Sequence, residues 1–113
     1  MKFEFKPISV NAAYTGKRHS TREKKIFMNQ MARALRYVEI DCPPPYKMTW
    51  IFHISAASDL DNCLKIAQDC LFEHFKTTNK KINDKQVHKI EAEKVICKKG
   101  EERFFVEIDT FIW

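Results

Sequence analysis

"KMTWIFHISAASDLDNCLKIAQDCLFEHF", residues 47–75, decides the fold. Its opening alternates: Met48, Trp50, Phe52 and Ile54 fall on one side, Thr49, Ile51 and His53 on the other. That is the period of a strand. Both sides carry bulk, which predicts a central strand. After the short link "AAS" the period lengthens. Leu60, Cys63, Leu64, Ala67, Cys70, Leu71 and Phe75 recur at helical spacing as one apolar face, with Asp61, Lys65 and Asp69 on another.

Working outward, Phe3 and Phe5 alternate with Lys2, Glu4 and Lys6, so residues 2–8 read as a short strand. "PISVNAAYTGKRHS", 7–20, reads as a long loop with Pro7, Asn11 and Gly16 as its turn residues. Ser20 with Glu23 is a capping-box pattern opening a helix whose core face is Phe27, Met31, Ala34, Leu35 and Val38. "DCPPPY", 41–46, stops it. Beyond the second helix, "KTTNKKINDKQ" is a polar loop. Residues 87–97 and 103–112 then read as strands around "KKGEE", a hairpin with Gly100 in its turn. The last strand has bulk on both faces: Phe104, Val106, Ile108 and Ile112 on one, Phe105, Phe111 and Trp113 on the other. That suits a strand between two layers or a dimer seam. The expected fold is a small single-domain α+β protein over residues 1–113. It is a mixed sheet with two main helices on one face, in the order β-α-β-α-β-β.

Composition is consistent with that. The 113 residues are 44% apolar and 31% charged, with only two glycines, so linker and low-complexity classes are excluded. "MKFEFKPISV" is charged where a signal peptide is apolar, and no run approaches the roughly 18 apolar residues of a spanning helix. A cytoplasmic protein without a membrane partner is expected. Cys42, Cys63, Cys70 and Cys97 form no C-x-x-C pair and read as free thiols rather than zinc ligands or a disulfide scaffold.

Function turns on "SDLDN", 58–62. Asp59 and Asp61 suit a helix start, where each carboxylate contributes about 0.3–1 kcal/mol against orphan amides and the helix dipole. Held together at about 4 Å, however, two carboxylates repel by roughly 4 kcal/mol at an effective dielectric near 20. A divalent cation removes that repulsion, and hard oxygen ligands suit Mg²⁺ or Mn²⁺. Asp84 in "KINDKQVHKI" is the candidate third carboxylate, with Asp41 and the strand pair Glu91 and Glu93 as weaker ones. Lys65 can pair with Asp61 at i,i+4 or neutralise a transferring phosphate. That strand carries no E-x-K tripeptide completing a restriction-enzyme-like core, because Lys94 directly follows Glu93.

Charge points toward a polyanion. The formal net charge is +5, gathered in two runs: Lys17, Arg18, Arg22, Lys24 and Lys25, then Lys80, Lys81, Lys85 and Lys89. His53 and His74 read as packing or surface residues, whereas His19 and His88 lie near basic segments where phosphate would pass. No nucleophile–His pairing with interpretable spacing is present.

Three segments resemble the RusA family of endodeoxyribonucleases, Holliday junction resolvases typical of bacteria, prophages and phages. "PISVNAAY", 7–14, is similar to the family's Pro-x-Ser-x-Asn segment. "DLDNCLKIAQDCL", 59–71, is similar to its Asp-x-Asp-Asn-x-x-Lys helix start, and "INDKQV", 82–87, to its Asp-x-Gln-Val junction. The likeness runs through nearly the whole chain in the same order. It implies that Asp59, Asp61 and Asp84 are metal-binding carboxylates and Lys65 a catalytic lysine. It implies that Asn62 positions the site, and that Asn11 and Tyr14 belong to a loop near it. It further implies a Mg²⁺- or Mn²⁺-dependent homodimer that resolves four-way DNA junctions by paired nicks in recombination and repair. The link "SAAS", 55–58, departs from the family, where an arginine-rich loop is expected. DNA contacts would then fall to the two basic runs. The rival readings are a nuclease of flaps or forks and a branched-DNA binder without catalysis.

Overall fold

The computed structural model describes residues 1–15 and 19–112, with Asn11, Tyr14, Thr15, His19 and Ser20 described at the backbone only. Along the chain come β1 (Lys2–Phe3), α1 (Val10–Ala13), β2 (Tyr14–Thr15), β3 (His19–Ser20) and α2 (Arg22–Ala34). They are followed by β4 (Tyr46–Ile54), α3 (Leu60–Thr78), a single 3₁₀ turn (Asp84–Gln86), β5 (Val87–Ile96) and β6 (Arg103–Thr110).

β4 is the spine. Tyr46, Met48, Trp50, Phe52 and Ile54 are all buried, while the residues between them are half-buried, so the alternation read from sequence is the alternation of the sheet. The main sheet has four strands in the order β1-β6-β4-β5 and is mixed: β4 runs parallel to β5 and antiparallel to β6. The helices cover one face. Phe27, Met31 and Leu35 from α2 meet Cys63, Ile66, Ala67, Cys70, Leu71, Phe72 and Phe75 from α3 over the inward residues of β4. Phe104 of β6 lies at the centre, its ring stacked 4.6 Å from Phe3 and 5.4 Å from Phe52. Such aromatic packing adds about 0.5–1.5 kcal/mol per pair beyond burial.

The expected hairpin is wrong. β5 and β6 do not pair, because β4 lies between them. α3 is the crossover that a parallel pair needs, so β5 is laid beside β4 along its full length, Tyr46 opposite Val87 through Ile54 opposite Ile96. The other edge of β4 is left for β6. Gly100, at φ +93°, does reverse the chain, but the reversal spans a strand instead of joining neighbours. β6 is therefore interior, and β5 is an edge strand that leaves Ile90 and Ile96 exposed.

Smaller corrections lie near the N-terminus. The first strand keeps only Lys2 and Phe3. The expected loop contains α1 and the two-residue ribbon β2–β3. The helix is capped by Thr21, whose hydroxyl accepts from the Lys24 amide at 3.2 Å, and not by Ser20. It ends at Ala34, well before the prolines. Ala34 is exposed, while Leu35 remains buried as the C-cap residue. β6 ends at Thr110 and Ile112 is exposed, while Trp113 lies outside the described residues.

Candidate functional site

The link between β4 and α3 is a tight turn. The Ser58 amide donates to the Ser55 carbonyl at 3.1 Å, and the two serine hydroxyls lie 2.9 Å apart. Asp59 follows as the N-cap residue, extended at φ −97°, ψ 119°, and its carbonyl accepts the first helical bond from Cys63. Its side chain, however, makes no capping hydrogen bond. The carboxylate instead accepts from Asn62 Nδ2 at 3.3 Å. Asp61 is in the first turn, and both aspartates are exposed. The cap position is occupied by a residue that does not use its oxygen to cap.

Asp59 borders a cleft of about 640 Å³ between the N-terminal segment and the start of α3. Pro7, Ile8, Ser9 and Ala12 form one wall, Asp59, Asn62 and Cys63 the other, with Lys6 and Glu23 on the rim. α1 packs against both α2 and α3, which is what brings this segment to the acidic motif. Two stretches far apart in sequence, "PISV" and "DLDN", therefore share one site. Burial, with the nearby Asp59 charge, raises the Cys63 thiol above its ordinary pKa, against the lowering pull of Lys94 and Lys6. Lys6 and Glu23 were not singled out from the sequence. Lys6 sat in an apparent strand and Glu23 in an apparent capping box.

Asp84 stands elsewhere. It opens the 3₁₀ turn, which Asn83 and Gln86 cap reciprocally: Lys85 N donates to Asn83 Oδ1 at 3.0 Å and Asn83 N to Gln86 Oε1 at 3.1 Å. The Asp84 charge is felt at Asp69, about 12 Å of helix rise beyond Asp61. Asp69 is held above the usual carboxylate range, chiefly by burial. Lys65 opposes the shift, Asp84 and Glu73 add to it, and Lys24 opposes it. Among the described residues no three His, Cys, Asp or Glu side chains stand close enough to share one metal ion. Nor does an ion pair join Lys65 to Asp61 among them; Lys65 acts on Asp69, one turn further on. Asp41 is exposed beside the prolines. Glu91, on the open face of the sheet, pairs with Lys47 at 3.8 Å and Lys89 at 3.4 Å.

Asp59 and Asp61 alone still form a donor set that suits a hard divalent ion. Mg²⁺ commonly takes one or two carboxylates and fills its octahedron with water and phosphate oxygens.

The basic residues divide. Arg22, Lys25, Lys80, Lys81 and Lys85 are exposed. Lys24 is a correction: it is only 6% exposed, because it continues the Phe27–Met31 stripe one turn toward the helix start. Its charge acts inward, on Asp69 and Cys70. Lys17 and Arg18 lie outside the described residues, as do the side chains of Asn11 and Tyr14. No helix among the described residues is long and apolar enough to cross a membrane. Compared with known proteins, the chain matches no family model and no curated protein.

Proposed function

We propose that this protein is a metal-dependent endodeoxyribonuclease of branched DNA, a RusA-like Holliday junction resolvase that works as a homodimer in the bacterial or phage-infected cytoplasm. One observation carries the reading. Asp59 occupies the cap position of α3 without capping it, lines a cleft, and stands two residues before Asp61. A carboxylate kept for the helix would accept from the first-turn amides. Among the described residues this one accepts from Asn62, another polar side chain of the cleft.

In this reading Asp59 and Asp61 hold Mg²⁺ or Mn²⁺, which supplies an activated water and a polarised phosphate when bound. Asn62 fixes the Asp59 carboxylate through its amide. Lys65, exposed one turn along α3, offers its ammonium to the scissile strand as negative charge builds. Lys6, which lines the cleft and pairs with Glu102 at 3.9 Å, would exchange that partner for a backbone phosphate. Arg22, Lys25, Lys80, Lys81 and Lys85 provide the salt-sensitive, sequence-independent share of affinity. A four-way junction has two-fold symmetry, and paired nicks need two copies of the site, hence the homodimer.

The test is cleavage of a synthetic mobile-core four-way junction with Mg²⁺ or Mn²⁺, wild type beside Asp61→Asn. Symmetric paired nicks lost in the variant, with junction binding retained, support the proposal. Comparable cutting of flaps and forks moves the substrate class. A second reading, a branched-DNA binder without catalysis, draws on the fact that Asp84 does not group with Asp59 and Asp61 among the described residues. Tight binding with no product in either metal selects it.

A further inference from the structure

We propose that Lys94 is the positioning residue of the acidic pair: it clamps the β4–α3 turn and so fixes where the Asp59 carboxylate points. The proposal rests on the reading of Asp59 and Asp61 as a metal site.

Lys94 belongs to the edge strand β5, opposite Phe52 in the parallel register. β5 follows β4 to its end, where Cys97 N donates to the Ile54 carbonyl, so its residues lie alongside the turn that leaves β4. From there the Lys94 ammonium donates to two main-chain carbonyls, Ala56 O at 2.9 Å and Ser58 O at 2.6 Å. The second belongs to the peptide unit that joins Ser58 to Asp59. Holding that oxygen fixes the orientation of the plane from which Asp59 emerges. Charge-assisted bonds of this length are the strong class. Among the described residues the rest of the turn shows one main-chain bond and the Ser55–Ser58 hydroxyl contact.

Two further observations place Lys94 at the site. Ser58, whose carbonyl it holds, lines the cleft together with Asp59. And Asp59 has no capping bond to fix its side chain from the helix side, so orientation must come through its backbone and Asn62. An ammonium directed at two carbonyls orients a ligand without ligating. Partners of this kind typically set metal affinity by 10–100-fold.

The experiment is a Mn²⁺ titration followed by the electron paramagnetic resonance of the free ion, on the full chain without DNA. Wild type, Asp61→Asn, Lys94→Met and Lys94→Arg are compared. Junction binding in EDTA and thermal melting are measured alongside. Lys94→Met is expected to weaken Mn²⁺ binding about 10-fold or more, with junction binding in EDTA unchanged. Lys94→Arg, which keeps two donors, is expected to stay within about threefold of wild type. Should Lys94→Met fail to fold, Lys94→Gln, with one donor, takes its place under the same criterion. Wild-type Mn²⁺ affinity in Lys94→Met, with only the melting temperature lowered, makes Lys94 a purely structural clamp and overturns the proposal. Absence of Asp61-dependent Mn²⁺ binding in wild type overturns the underlying reading instead. The two failures are thereby distinct.

Discussion

Replacing Asp59 by alanine separates a helix cap from a metal ligand, because the two roles predict opposite stability effects. A capping aspartate lost to alanine costs typically about 1 kcal/mol and as much as 2. Here the side chain makes no capping bond, so that contribution is missing from the start. What remains is the attraction of the carboxylate to the helix N-terminus, about 0.3–1 kcal/mol at an exposed position. Against it stands repulsion from Asp61, also exposed, which in a water-like dielectric stays at or below about 1 kcal/mol for charges about 4 Å or more apart. The two nearly cancel. In EDTA, Asp59→Ala is expected within about 0.5 kcal/mol of wild type by urea denaturation. Added Mn²⁺ reverses the comparison. Wild type gains about 2.7 kcal/mol at a hundred times its dissociation constant, since the ion binds only the folded chain. The variant gains little. A loss of 1.5 kcal/mol or more in EDTA, with no Mn²⁺-dependent gain in wild type, refutes the reasoning and makes Asp59 a cap.

Other outcomes follow from the same structure. Asp69 holds its proton above the usual carboxylate range, so the fold binds that proton more tightly than the unfolded chain. Stability from this group is complete below the ordinary value of 3.8 and is lost as pH rises through the shifted one. Asp69→Asn should therefore raise the urea midpoint at pH 7, with the advantage gone near pH 3. Lys25→Ala should lower the salt slope of junction binding by up to about one unit. Lys24→Ala should instead lower the melting temperature and leave the slope unchanged, since Lys24 is buried. Burial pushes the Cys70 thiol up to about 12 and raises Cys63 as well, while Cys42 and Cys97 are partly exposed. Trapping with a thiol reagent at pH 8 should label the second two quickly and the first two only at the rate of unfolding.

Sequence alone determined the elements whose periodicity is local. The alternation of Met48, Trp50, Phe52 and Ile54 marked the central strand, and the spacing from Cys63 to Phe75 marked the long helix, because each pattern reports one buried face of one element. The pair "DLD" at the helix start was also legible, as was the split between apolar and basic segments. Tertiary structure decided what a local pattern cannot carry. Gly100 announced a reversal, but only the crossover through α3 determined that β4 would separate β5 from β6. Lys24 read as one charge in a basic run until helix phase turned it inward. Asp84 read as the partner of Asp59 and Asp61, yet in the fold its charge acts on Asp69, and the three do not group among the described residues. Lys94, set aside because no E-x-K surrounds it, reaches the turn before Asp59 only because a parallel edge strand runs past the end of β4. Spacing along the chain sets which side chains share a face. Which faces meet is set by the order in which strands enter the sheet.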